Sequence, residues 1–208
     1  MALFKPKGAT GSGGGNKYMG IFEMGLVSFE DQSDKFDWAD IFIVAEVAIK
    51  ESDYNREIKI RGSFDKDGKG NITGGSVLNR MYKFFGDIGC TAGINVKGGW
   101  ETEDGTAIKN IAKYLTDNHL SSVIPGTNPS YDFVGYVYKE ANKKTGKAYN
   151  TVHYRLFPSN SAGNVDLASH VKWMKTNGYI KEAAAEMLAK PTNTTALPES
   201  VEDALLII

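Results

Sequence analysis

Residues 131–157 read Tyr-Asp-Phe-Val-Gly-Tyr-Val-Tyr-Lys, then Glu-Ala-Asn-Lys-Lys-Thr-Gly, then Lys-Ala-Tyr-Asn-Thr-Val-His-Tyr-Arg-Leu-Phe. The two outer stretches alternate β-branched or aromatic residues with polar ones, the period of a strand with one buried face. The middle stretch carries the Asn and Gly chemistry of a longer hairpin loop. The spacing predicts one antiparallel hairpin, with Tyr136 and Tyr138 on one face of its first arm and Phe133 and Val137 on the other.

Working outward toward the N-terminus, three more strands are predicted. Arg56–Phe64 alternates, setting Ile58 and Ile60 on one face and Glu57, Lys59 and Arg61 on the other. Asp40–Lys50 is a nearly continuous apolar run, as in a central strand. Tyr18–Glu30 holds Gly20 and Gly25, which suggest bulges or sharp coiling. The stretch Asp31–Asp37 connects the first two strands and is polar.

A helix is predicted from Ser76, as N-cap, to Gly86, with Val77, Leu78, Met81, Tyr82 and Phe85 on one apolar face. A helical insert follows over Thr106–Leu120, where Ile108, Ile111, Ala112 and Leu115 have helical spacing. Beyond the hairpin, Leu167–Asn177 reads as a short helix closed by Gly178, and Ala183–Lys190 as another that stops before Pro191. The order of strands, helix, insert, hairpin and helices fits a β-rich α+β domain: a small OB-like β-barrel with an inserted helix and C-terminal accessory helices. Three parts are expected. Residues 1–17 form a Gly-rich arm, 18–190 the domain with its helical insert at about 100–130, and 191–208 an acidic-apolar tail.

Composition narrows the function. The chain has 208 residues, is 41% hydrophobic and 24% charged, and carries a net charge of −1, which excludes a disordered chain and a polybasic, histone-like binder. The tail holds Glu199, Glu202 and Asp203 and no base, so the remainder has a net charge of +2. A single cysteine, Cys90, rules out an internal disulfide and suits a reducing compartment. No apolar run approaches a membrane span, and the first residues lack the apolar core of a secretory signal, so a cytoplasmic protein is expected.

Motifs of chemistry fail on their details. The Gly-rich arm ends in Asn16-Lys17-Tyr18 where a phosphate loop needs Gly-Lys-Ser or Gly-Lys-Thr before a helix. The Asp65–Ile72 turn would place Lys69 and Ser76 where a calcium loop needs ligands. His119, His153 and His170 lack zinc-site spacing, and Cys90 reads as a small buried thiol. Glu101, Glu103 and Asp104 could hold magnesium in a nuclease, but read better as a solvated acidic loop. No catalytic residue, metal or cofactor is expected.

The hairpin is left. Tyr136, Tyr138, Tyr149 and Tyr154 are interleaved with Lys139, Lys143, Lys144, Lys147 and Arg155. Aromatic rings stack on bases at ~1–3 kcal/mol each, and neighbouring cations neutralise phosphates. Lys59 and Arg61, on the polar face of their strand, join this candidate set. The alternative is a half-buried hairpin with a solvated basic loop.

The segments Gly135-Tyr-Val-Tyr-Lys139 and Thr145-Gly-Lys-Ala-Tyr-Asn-Thr-Val-His-Tyr-Arg-Leu-Phe-Pro158 resemble the C-terminal hairpin of phage-encoded single-stranded DNA-binding proteins with an OB fold. The likeness extends over Tyr18–Pro158 and includes the helix at Val77–Gly86. It implies binding of single-stranded DNA with little sequence preference, protecting strands in replication or recombination. The ending Glu199-Ser-Val-Glu-Asp-Ala-Leu-Leu-Ile-Ile208 is similar in kind to tails that recruit replication and repair enzymes, although it has fewer acids and no Pro-Phe end. Glu202, Asp203, Leu205, Leu206, Ile207 and Ile208 are then the partner-binding residues. A docked terminal helix is the competing reading, and self-association is left open. A virion or host-interaction protein on a similar barrel, or a metal-dependent nuclease, are the alternative functions.

Overall fold

The computed structural model describes residues 19–50, 52–123, 129–141 and 148–180. The arm, the tail, the expected helix at Ala183–Lys190 and the hairpin loop lie outside them. Five strands form one antiparallel sheet: β1 (Gly20–Asp31), β2 (Ile41–Ile49), β3 (Arg56–Gly62), β9 (Phe133–Ala141) and β10 (Ala148–Pro158), in the order β10-β9-β1-β2-β3. Two short ladders stand apart from it. One joins β4 (Asp65–Lys66) and β5 (Ile72–Gly74), and the other joins β6 (Gly93–Ile94), β7 (Trp100–Glu101) and β8 (Ala107–Ile108). The helices are α1 (Ser76–Asp87), α2 (Ile111–His119) and α3 (Ser161–Thr176). The chain is therefore β-rich α+β, as the pattern predicts.

Alternation sets the two faces. The register pairs Ile43 with Ile60 and Ala45 with Ile58, so one face of β2–β3 turns inward, while Phe42 with Arg61 and Val44 with Lys59 turn outward. The inward residues join Met24, Leu26, Met81, Phe84, Phe85, Val137, Val152 and Leu156 in the main core. Burying such side chains stabilises the fold by roughly 1.5–3 kcal/mol each relative to exposure. The sheet curls until Cα atoms of its outermost strands, β3 and β10, come within 8 Å of each other, with no ladder joining them among the described residues. Helix α1 packs against both.

The ladder is irregular between Leu26 and Ser28, beside Gly25. Gly25 itself answers to a close approach: a Cβ there would lie 2.3 Å from the Ser130 carbonyl oxygen. A larger irregularity lies in β10, where Val152 pairs with Val137 but Leu156 with Gly135. His153, Tyr154 and Arg155 are thus looped out of the regular pairing, which re-aims their side chains.

Helix boundaries differ from the sequence reading in three places. Gly75, at φ 125°, takes the N-cap position of α1, and Ser76 is the first helical residue. The insert becomes helical only at Ile111, where Asn110 accepts the Lys113 N–H at 2.8 Å; Ala107–Ile108 instead pairs with β7. Helix α3 starts six residues early, because Asn160 accepts the Gly163 N–H at 2.8 Å and caps it. Its apolar residues Leu167, Val171 and Met174, with Ile180 beyond it, cover Val134 and Tyr136 on the outer face of β9 as a second cluster.

Candidate nucleic-acid interface

The faces of the hairpin are those predicted: Phe133 and Val137 meet the main core, and Tyr136 and Tyr138 point away from it. The outward face, however, is not open. Tyr136 is only 6% exposed beneath α3, with its ring stacked on Tyr138 at 5.9 Å and Lys175 over it at 5.2 Å. Tyr138 is half-buried against the same cluster. Tyr154 packs on the main core. Arg155 grips Asp87 at the end of α1 through two hydrogen bonds, 2.6 and 3.0 Å, and the Leu156 N–H donates to the same carboxylate. Burial pushes the Asp87 carboxyl up against the pull of Arg155, and the hydrogen bond to Asp87 holds the guanidinium high. Tyr136 as an open stacking ring and Arg155 as a free phosphate ligand are therefore corrected: a helix covers one and a carboxylate engages the other. Tyr149, 51% exposed, and the half-exposed Lys139 remain accessible. Lys143, Lys144 and Lys147, and the tail residues Glu202, Asp203, Leu205, Leu206, Ile207 and Ile208, lie outside the described residues.

Lys59 and Arg61 stand on the side of the sheet that α3 leaves uncovered. There the β1–β2 connection folds back over β2. A one-turn 3-10 segment at Ser33–Lys35 is fixed by the Asp31 carboxylate, which accepts from the Ser33 N–H at 3.0 Å. That turn brings Phe36 onto Phe42, stacked at 4.8 Å, and Trp38 within 5.8 Å of Phe36 and 6.2 Å of Phe42. Phe42 is buried by this arrangement, Phe36 half-buried, and Trp38 53% exposed. The Arg61 guanidinium lies over the Phe42 ring at 5.5 Å, a contact worth ~0.5–1 kcal/mol at an exposed site. No carboxylate pairs with it among the described residues. Lys59 shares an exposed ion pair with Glu57 at 2.6 Å, weak enough to exchange for a phosphate.

Phe36 and Trp38 escape a periodicity reading because they sit in a polar connection, outside any strand. The available signal was two large rings, Phe-Asp-Trp, in a segment with no alternation that would bury them. The chain matches no protein-family model, no curated protein and no solved structure.

Several of the remaining chemistry-bearing residues are occupied, although the buried Nε2 atoms of His119 and His170 have no hydrogen-bond partner among the described residues. Glu101 accepts from Asn95 at 3.1 Å, and Asp104 holds the Thr102 hydroxyl and Thr106 N–H of its turn. Asp67 closes the β4–β5 turn through the N–H groups of Lys69 and Asn71. Cys90 is buried, which pushes its thiol up, away from nucleophilic use. Among the described residues no three His, Cys, Asp or Glu side chains gather as metal ligands, and no helix is long and apolar enough to cross a membrane.

Proposed function

We propose that this chain binds single-stranded DNA with little sequence preference, through the outer face of β2–β3 and the β1–β2 connection. The observation that carries this is Trp38, an exposed ring backed by Phe36 and Phe42, with the Arg61 guanidinium over Phe42 and no acid engaging it among the described residues. An exposed ring accepts an unstacked base of any identity, and a neighbouring cation takes the phosphate. A duplex keeps its bases stacked and offers the ring nothing.

The sheet supports the same reading. Taken around the curl, the strands follow the cycle β1-β2-β3-β10-β9, with α1 between the third and fourth strands in chain order. We read this as an OB-like barrel, partly open at β3–β10. Such barrels bind oligonucleotides on the face of their second and third strands and on the loops joining strands one to two and four to five. Here the first of those loops holds Phe36 and Trp38, and the second holds Lys143, Lys144 and Lys147. The role is protection of strands in replication or recombination, without catalysis, and the acidic-apolar tail remains a candidate hook for replication or recombination enzymes.

The test is a fluorescence-anisotropy titration of labelled oligo-dT and of a duplex, at several salt concentrations. Binding restricted to single strands, weakening as salt rises, is expected. Trp38→Ala should cost ~1–3 kcal/mol. Equal affinity for duplex, or no salt dependence, would refute the proposal.

A further inference from the structure

A second row of rings lies on the other side of the β3–β10 seam. His170 stacks on Trp173 at 5.8 Å and 17°, and Trp173 stacks on Tyr179 at 5.0 Å and 20°. Trp173 is 51% exposed and Tyr179 69%. Phe157 of β10 closes the inner end of the row, 6.0 Å from His170. Burial pushes the His170 imidazole pKa down. The two outer rings, Trp173 and Tyr179, belong to neither core cluster: Leu167, Val171 and Met174 bury the inner face of α3, with Phe157 packed against them.

Cations bridge the two sets of rings. Arg80 of α1 donates from Nη2 to the Arg61 carbonyl oxygen at 3.0 Å on β3, while its charge acts on Tyr154 of β10. Lys83, one turn on and exposed, acts on His170 in the same way. Lys172, exposed beside Trp173, has no carboxylate partner among the described residues. Of the nearby acids, Asp87 is held by Arg155, and Asp166 is exposed one turn before His170.

We infer that Trp173 and Tyr179 form a second stacking station for the same single strand, which leaves the Trp38 face, crosses the seam over Arg80 and Lys83, and ends on α3. The occupant is nucleic acid because rings alternate with cations that no carboxylate pairs among the described residues, the pattern that bases and phosphates present. This inference rests on the proposed function, and it makes a separate claim about length: short oligonucleotides use the first station alone, and longer ones reach both.

Affinity is measured for the full chain against oligo-dT from about 4 to about 16 nucleotides, the range of site sizes per OB fold. Trp173→Ala and Tyr179→Ala should each weaken the longest oligonucleotide by about 5- to 150-fold and leave the shortest within about twofold, with Trp173→Phe retaining most of the affinity. Trp38→Ala should weaken every length. If the Trp173 and Tyr179 variants both bind all lengths like the parent while Trp38→Ala weakens them, the second station is refuted and the first stands. Equal weakening at every length by Trp173→Ala also refutes it, since the ring then belongs to the first station. If Trp38→Ala changes nothing at any length, the proposed function itself fails. Trp173 and Tyr179 are both more than half exposed, so loss of folding does not confound the comparison.

Discussion

Acidification should destabilise this protein through one residue, His153. The irregularity in β10 sets its ring 4.4 Å from Tyr154 and 5.9 Å from His170, and its Nδ1 accepts the Arg155 N–H at 3.2 Å. Burial first, then the charges of His170 and Arg155, push its pKa from 6.5 down to about 3. In the unfolded chain the imidazole titrates near 6.5, so between these values the unfolded state binds a proton that the folded state refuses. The stabilisation is complete above pH 6.5 and is lost as the pH falls toward 3. By pH 5 the loss is about 2 kcal/mol. His153→Asn keeps an acceptor near the Nδ1 position and removes the titration. Urea unfolding of both proteins at pH 7 and pH 5, followed by far-ultraviolet circular dichroism, measures the difference. The parent should lose about 2 kcal/mol more than the variant, because His119 and His170 are present in both and cancel. Equal losses, within about 0.5 kcal/mol, would show that His153 is hydrated in the folded state and refute the argument.

Other substitutions separate structural from accessible residues. Tyr136→Ala should cost about 3–5 kcal/mol in thermal unfolding, because it empties space beneath α3, whereas Tyr149→Ala should stay within about 0.5 kcal/mol. Asp87→Ala strands the Arg155 guanidinium and the Leu156 N–H, and should cost about 3–5 kcal/mol; a loss under about 1 kcal/mol would mean that water screens the pair. Deleting residues 191–208 removes three acids and should strengthen oligo-dT binding at low salt with melting unchanged. A strongly destabilised truncation would indicate a docked segment instead.

The sequence carries the strands almost to their ends, since period-two alternation marks β3, β9 and β10, and an apolar run marks β2. It also places Tyr136 and Tyr138 on the face away from the core. It does not reveal that α3 folds back over that face, because the helix meets β9 only in three dimensions, and its apolar residues would look the same on any partner. Arg155 is misread for a related reason: its counter-charge, Asp87, sits on a helix far away in the chain. Lys59 and Arg61 were legible as a polar strand face. Their aromatic neighbours were not, because Phe36 and Trp38 are positioned by a turn rather than by a periodic element.

The place of β1 at the middle of the sheet has a consequence for synthesis. Its C-terminal half pairs with β2, which follows within a few residues, but Gly20–Met24 pairs with Phe133–Val137. A chain emerging from the ribosome can close the first three strands early, and must then hold one edge of β1 bare until the distant hairpin has been made. Contacts of such long separation slow folding, and a bare edge in the interval is a template for pairing with another chain. Aggregation of this protein is therefore expected to depend on how quickly residues 133–158 are delivered, and a nascent chain stalled before β9 should be its most association-prone form.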